Sequence, residues 1–272
     1  MRTPIVGQVP IIDYIYSCGN NLPHFIVLIG AKGSGKRTLA NTIAYIQGCV
    51  YSEVDTKVDT VRSVIESAYT SATKVLYCFA DADTMRAEAK NAMLKITEEP
   101  PENAYFVLTV QDDSTLLDTI KSRADVIRMF PYTREQLRDY IEMQQIVPER
   151  YDIEKLTYVC NTPGDVDILM SYNIQEFYDY VKLVYDNIAT VEPANAFKSS
   201  SKLAIKDDEG YDLRLFWQMF MYIACEDLMH NEKPNCAGVL VTTQYLNKLQ
   251  KVGINKQQLY DSWVFDIREA WL

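Results

Sequence analysis

The apolar positions of the chain change their spacing at Pro131, and the change separates two kinds of structure. Before it, short continuous apolar runs recur: Phe25–Ile29, the weaker Cys49–Val54, Val75–Ala80, Tyr105–Val110 and Val126–Phe130. Each has the length and β-branched or aromatic content of a buried strand. Between them the apolar residues return at helical spacing. Leu39, Ala40, Ile43, Ala44 and Ile46 form one stripe, Val58, Val61, Val64, Ile65 and Ala68 a second, and Ala89, Ala92, Met93 and Ile96 a third that runs from Met85 to the Glu98-Glu99-Pro100-Pro101 stop. A shorter stripe passes through Leu117 and Ile120, and Ile11, Ile12, Tyr14 and Ile15 mark a helix ending near Gly19. Strands alternating with helices at this spacing predict an α/β fold, a parallel sheet covered by helices, with ligands at the strand C-termini.

Past Pro131 the strand pattern stops. Thr133 to about Met170 reads as a small helical unit around the turn Thr162-Pro163-Gly164-Asp165, and residues from 174 to 272 as a larger one. The polar Lys198-Ser199-Ser200-Ser201-Lys202 and the charged Lys206–Gly210 read as loops within it. The boundaries predicted are 1–131, 132–172 and 173–272. One helix of the last block carries two apolar stripes, Leu213, Phe216, Trp217, Phe220, Ile223 and Ala224 on one side and Leu215, Met219 and Tyr222 on the other. It needs two partners, from its own domain or from another subunit.

The chemistry concentrates after the first strand. Gly30-Ala31-Lys32-Gly33-Ser34-Gly35-Lys36-Arg37-Thr38 lies between an apolar strand and a helix, the setting of a phosphate-binding P-loop. Its glycines let backbone N–H groups converge on an anion, the helix N-terminus adds its dipole, and Lys36 supplies a point charge for β and γ phosphates. The fingerprint departs at one position, where a Ser or Thr hydroxyl would hold Mg²⁺ and Arg37 stands instead. Thr38 is adjacent but rotated by about 100° on a helix.

Composition narrows the field further. With 272 residues, 48% of them hydrophobic, the chain can bury a large core, and a net charge of −10 argues against broad electrostatic capture of DNA or of an anionic membrane. Cys18, Cys49, Cys78, Cys160, Cys225 and Cys236 include no C-x-x-C pair, so no structural zinc and no other metal site is expected. With only two histidines, His24 and His230, His-based triads and His-rich metal sites have almost nothing to be built from. No apolar run is long enough to span a membrane and no signal peptide is visible, so a cytoplasmic protein is expected.

Asn91-Ala92-Met93-Leu94-Lys95-Ile96-Thr97-Glu98-Glu99-Pro100-Pro101, followed by a strand and then Thr119-Ile120-Lys121-Ser122-Arg123, resembles the N-A-L-L-K-x-L-E-E-P-P…T-I-x-S-R-C signature of clamp-loader AAA+ subunits. Ile5-Val6-Gly7-Gln8 is similar to that family's N-terminal V-G-Q box, which adds Val6 to the nucleotide-binding set of Gly30, Gly33, Ser34, Gly35, Lys36, Arg37 and Thr38. Val58–Arg62 is similar to its helix before Walker B. Gly253–Leu259 resembles a run in the collar of the delta-prime subunit of bacterial DNA polymerase III. The resemblance implies a RecA-like AAA+ P-loop core, a small helical lid and an all-α collar that joins subunits into a ring. The interval before the Val75 strand holds only Cys49, so the zinc module that many delta-prime subunits carry there is absent, the mark of a minimal or divergent member.

The resemblance also assigns roles. The Walker B Asp falls on Ala80 and its partner Glu on Asp81, with Asp83 close by. The sensor 1 position falls on Gln111, and the sensor 2 arginine on Asp167. Loss of the P-loop hydroxyl, the Walker B Asp and sensor 2 together implies a poor or inactive ATPase, because phosphoryl transfer depends on electrostatic stabilisation. ATP or ADP would be bound weakly or as a structural ligand, with the part of Mg²⁺ left open. Arg123 is retained, and the family geometry implies an arginine finger acting in trans, worth about 10³- to 10⁵-fold in a neighbour's rate, or roughly 4–7 kcal/mol of barrier. The partners implied are other clamp-loader subunits, the sliding clamp and, through the assembled complex, primer-template DNA. Two alternatives stay open: a gamma-like active ATPase in which Thr38, Asp81 or Asp83 takes over Mg²⁺, and an AAA+ adaptor outside replication. Lys90 and Lys95 are expected on the exposed side of their helix, as solvated charge or as a DNA contact.

Overall fold

The computed structural model describes residues 5–144, 153–205, 210–230, 236–249 and 253–271. The chain packs as two compact units, one of Met1–Tyr140 with Thr162–Gly164, the other of Ile141–Asn161 with Asp165–Leu272. Residues of the expected lid fall on both sides of this division.

The first unit is built on five parallel strands in the order β2-β3-β4-β1-β5: β1 (Phe25–Ile29), β2 (Val50–Val54), β3 (Val75–Phe79), β4 (Ala104–Val110) and β5 (Asp125–Arg128). Helices α1 (Val9–Cys18), α2 (Lys36–Ile46), α3 (Val58–Thr70), α4 (Ala87–Ala92), α5 (Leu94–Glu98) and α6 (Asp118–Lys121) accompany it. Every residue of β1 and β4 is buried, as a sheet covered on both faces requires. Successive side chains of β1 enter opposite cores. Phe25, Val27 and Ile29 pack with Val61, Ile65, Met93 and Ile96, whereas Ile26 and Leu28 pack with Ile11, Ile15, Leu39 and Ile43.

Two local expectations are corrected here. The stripe from Met85 to Ile96 is broken, with a 3-10 turn at Ala82–Thr84, then α4 and α5 separated at Met93. Its apolar side chains still reach one core, so the periodicity reports the face correctly and the continuity wrongly. Lys90 is buried, its Nζ donating to the carbonyl of Thr115, while Lys95 remains exposed and lies over the Tyr69 ring. An apolar stem can lie in a core when its ammonium finds an acceptor.

The second unit is helical. It contains α8 (Ile153–Val159), α10 (Ile174–Asn187), α11 (Pro193–Lys198), α12 (Leu213–His230), α13 (Ala237–Leu249) and α14 (Lys256–Trp271); α7 (Arg134–Met143) and α9 (Pro163–Met170) cross the division. Asp212 starts α12, its Oδ1 accepting from the backbone N–H groups of Arg214 and Leu215. Both stripes of α12 are buried within the unit apart from the half-buried Tyr222, against α10, α13, α8 and Trp263 of α14, so the two-sided helix finds its partners in its own chain. Phe216, Trp217, Phe220 and Tyr260 surround Trp263, whose Nε1 donates to Thr242. Ser199–Lys202, expected as loop, is a 3-10 turn continuing α11. The charged stretch from Lys206 to Glu209 lies outside the described residues. Among the described residues no helix is long and apolar enough to cross a membrane.

Candidate functional site

The C-terminal edge of the sheet brings three segments together because β1 lies beside β4 and β4 beside β3. The glycine-rich loop follows β1, Ala80-Asp81 follows β3, and Gln111 follows β4.

The loop is held by its carbonyl groups. Lys36 Nζ donates to Gly30 O at 2.6 Å and to Ala31 O at 2.9 Å. Thr162 Oγ1 reaches Lys32 O at 3.3 Å, the Gly164 N–H donates to Gly33 O at 3.0 Å, and Tyr132 Oη donates to Ser34 O at 2.7 Å. Five consecutive carbonyls are thus satisfied by protein donors, which fixes the loop's shape. Gly33 and Gly35 have φ of 80° and 86°, a region that a side chain would strain. Ser34 Oγ, in a residue only 3% exposed, is buried without a hydrogen-bond partner.

Lys36 opens α2 and is itself buried. Burial lowers its pKa, with Asp81 and Asp83 opposing the shift. The next residue, Arg37, turns to the acids. Its Nη2 lies 2.7 Å from Asp81 Oδ2 and its Nη1 3.3 Å from Glu53 Oε1. Burial works against the guanidinium's charge, Glu53 and then Asp81 outweigh it, and its pKa stands above the ordinary value. Thr38 is half-buried, and its carbonyl accepts from Thr42 Oγ1.

Asp81 adopts φ 53°, alone in positive φ among the described non-glycine residues, and its N–H donates to the buried Thr109 Oγ1 at 3.0 Å. Asp83 serves the neighbouring loop. Its carboxylate accepts from Gln111 N at 2.9 and 3.1 Å and from Thr115 Oγ1 at 3.1 Å, tying the turn after β3 to the end of β4. Gln111 therefore enters through its backbone, and its side chain is exposed. Val6 is half-buried ahead of Gln8, whose side chain pairs with the backbone of Phe130 at 3.0 and 2.9 Å and so docks the N-terminal box beyond β5.

Arg123 lies elsewhere on the first unit, between α6 and β5. Nη2 is 3.1 Å from Glu98 Oε1 and Nη1 donates to Thr119 O at 3.2 Å, with the side chain 40% exposed. The Glu98 of the Glu-Glu-Pro-Pro stop thus meets the Arg123 of the Ser-Arg pair. Asp167 is exposed on α9, in the second unit. There, Asp165, fully buried, pairs with Arg214 and accepts from Asn161 N at 2.9 Å.

Known proteins resemble this chain. A family model described as DNA polymerase III, delta subunit, matches residues 50–133. The DNA polymerase III subunit gamma of Buchnera aphidicola subsp. Acyrthosiphon pisum is 22% identical, with 93% of this chain and 85% of that one covered. The DNA polymerase III subunit delta' of Bacillus subtilis is 36% identical over a shorter stretch, 28% of this chain and 23% of that one. The chain is similar to clamp-loader AAA+ subunits. The structure of the Thermotoga maritima RuvB Holliday junction branch migration motor superposes with a TM-score of 0.54 at 15% identity, covering 96% of this chain and 91% of that chain, a likeness of fold.

A P-loop ordinarily implies a nucleotide with Mg²⁺, and the residues here fit the two differently. The phosphate-facing parts fit, with Lys36 at the helix start, a glycine loop of fixed shape and the orphaned Ser34 hydroxyl inside it. The metal-facing parts do not fit. A guanidinium occupies the hydroxyl position and is bonded to the acid that would face the ion, and Ala80 offers no ligand.

Several contributors were not visible in the sequence. Glu53, Tyr132, Thr162 and Gly164 carry no motif that points to the loop, and each reaches it through sheet order or chain return. Glu98 carried a signal, since it sits in the same signature as Arg123.

Proposed function

We propose that this chain is a delta-prime-like clamp-loader subunit that does not hydrolyse ATP itself and supplies Arg123 in trans to a neighbouring subunit's nucleotide. The observation that carries the reading is Arg37, a cation fixed on Asp81 and Glu53 where an active P-loop holds a hydroxyl for Mg²⁺. Arg123 supports the second half. Glu98 and the Thr119 carbonyl orient its guanidinium while leaving it exposed, as a group that works on another subunit requires. ATP or ADP would be a structural ligand held by Gly30, Gly33, Ser34, Gly35 and Lys36. Its partners would be sister clamp-loader subunits, a sliding clamp and, through the assembly, primer-template DNA. The broad match to a protein named subunit gamma favours a second reading, an active ATPase, which would need Asp81 released from Arg37 to face a metal.

The purified chain should show no Mg²⁺-dependent ATP turnover above buffer, and Lys36→Ala should change nothing. In a ring reconstituted with gamma-like and delta-like subunits, Arg123→Ala should lower ATPase by about 10³-fold or more at the affected site with assembly intact. A brisk rate from the isolated chain, or an Arg123→Ala ring of normal activity, would overturn the assignment.

A further inference from the structure

We infer that Arg37 stands in for the divalent cation, so that the P-loop takes a nucleoside di- or triphosphate free of metal. The inference builds on the reading of the loop as a nucleotide site.

In a metal-dependent P-loop, a Ser or Thr hydroxyl, an acid at the end of the neighbouring strand and the phosphate oxygens share one Mg²⁺. Here a side chain at the hydroxyl's own position places a permanent positive charge 2.7 Å from Asp81 and 3.3 Å from Glu53. The carboxylates that border the loop are committed. Asp81 and Glu53 each place one carboxylate oxygen on Arg37, and Asp83 accepts from Gln111 N and Thr115 Oγ1. Ala80 contributes no oxygen. A divalent ion entering beside the phosphates would meet the Arg37 guanidinium and three acids that already hold protein donors. Arginine is suited to the substitution, because its five N–H donors exceed those spent on two carboxylates and its charge is never lost. Lys36 and Arg37, adjacent at the start of α2, then supply the positive charge that a metal and a lysine supply together elsewhere.

Binding of fluorescent ADP and ATP analogues to the full chain, in EDTA and in excess Mg²⁺, tests this directly. Affinity should be at least about threefold weaker in excess Mg²⁺ than in EDTA, because magnesium draws nucleotide into its own complex in solution, and Arg37→Ser combined with Ala80→Asp should make binding at least tenfold tighter in Mg²⁺ than in EDTA. Should that variant misfold by circular dichroism, Mn²⁺ titration of the wild-type chain gives an independent readout. Nucleotide on the protein should then hold less Mn²⁺ than nucleotide free in solution. Binding of the wild type as tight or tighter in Mg²⁺ than in EDTA, as much Mn²⁺ on the complex as on free nucleotide, or no nucleotide binding at all would overturn the inference. The last result leaves the non-hydrolysing reading standing, whereas Mg²⁺-dependent turnover abolished by Lys36→Ala sinks both.

Discussion

Gly164→Ala tests how closely the Thr162–Gly164 turn is pressed on the P-loop. A Cβ built on Gly164 falls 2.5 Å from Gly33 Cα and 3.2 Å from its carbonyl oxygen, all backbone atoms that cannot rotate away. Ordinary carbon contacts need about 3.5–4.0 Å, so the two backbones must part by roughly 1 Å. The 3.0 Å bond from Gly164 N to Gly33 O would then open past hydrogen-bonding range. Loss of that bond costs about 0.5–1.5 kcal/mol, and forced overpacking about 1–3 kcal/mol. Alanine's better helix propensity returns at most about 1 kcal/mol. The net expectation is a destabilisation of roughly 1–3 kcal/mol, a fall in melting temperature on the order of 2–10 °C. Hydrogen exchange should quicken at the residue-164 amide, whose N–H loses its acceptor on Gly33. Thermal melting and exchange mass spectrometry read both effects. The sign decides: with no close approach, propensity alone makes the alanine variant equal or more stable, so a melting temperature unchanged or raised would refute the packing argument.

Two further outcomes follow from buried polar groups. Asp83→Ala removes the acceptor of Gln111 N and Thr115 Oγ1, and should cost about 2–4 kcal/mol in chemical denaturation; a loss under about 0.5 kcal/mol would show that the carboxylate does not hold the end of β4. Burial raises the pKa values of Tyr51, Tyr180, Tyr185, Tyr245 and Tyr260 above the ordinary phenol value. Their contribution to stability is complete below about pH 10, where an unfolded tyrosine titrates, and is lost as pH rises through and beyond that value. Lys36, lowered by burial, has the opposite sign, its contribution growing toward high pH. The tyrosines outnumber it, so ellipticity should fall together with the appearance of tyrosinate absorbance. Full titration near pH 10 with ellipticity retained would refute this.

The elements and one motif could be read from the chain alone. An unbroken apolar run such as Phe25–Ile29 has few options but a buried strand, and stripes such as Leu39–Ile46 report the face a helix will bury. The glycine spacing before Lys36 announces a tight strand-to-helix loop, because positive φ there is local to the residues that adopt it. Which groups meet that loop was a matter for tertiary structure. Period shows which face of an element is apolar and is silent on what that face will touch. The order β2-β3-β4-β1-β5 decides that Asp81 and Glu53 come to Arg37, and the return of the chain at Thr162, 130 residues after Lys32, decides what closes the loop. Lys90 shows the same limit in one residue. A lysine on a charged stretch reads as solvated, and only the fold supplied the Thr115 carbonyl that lets it lie inside. Local spacing determined the shapes of the parts, and the partners of the charged groups awaited contacts between residues far apart in the chain.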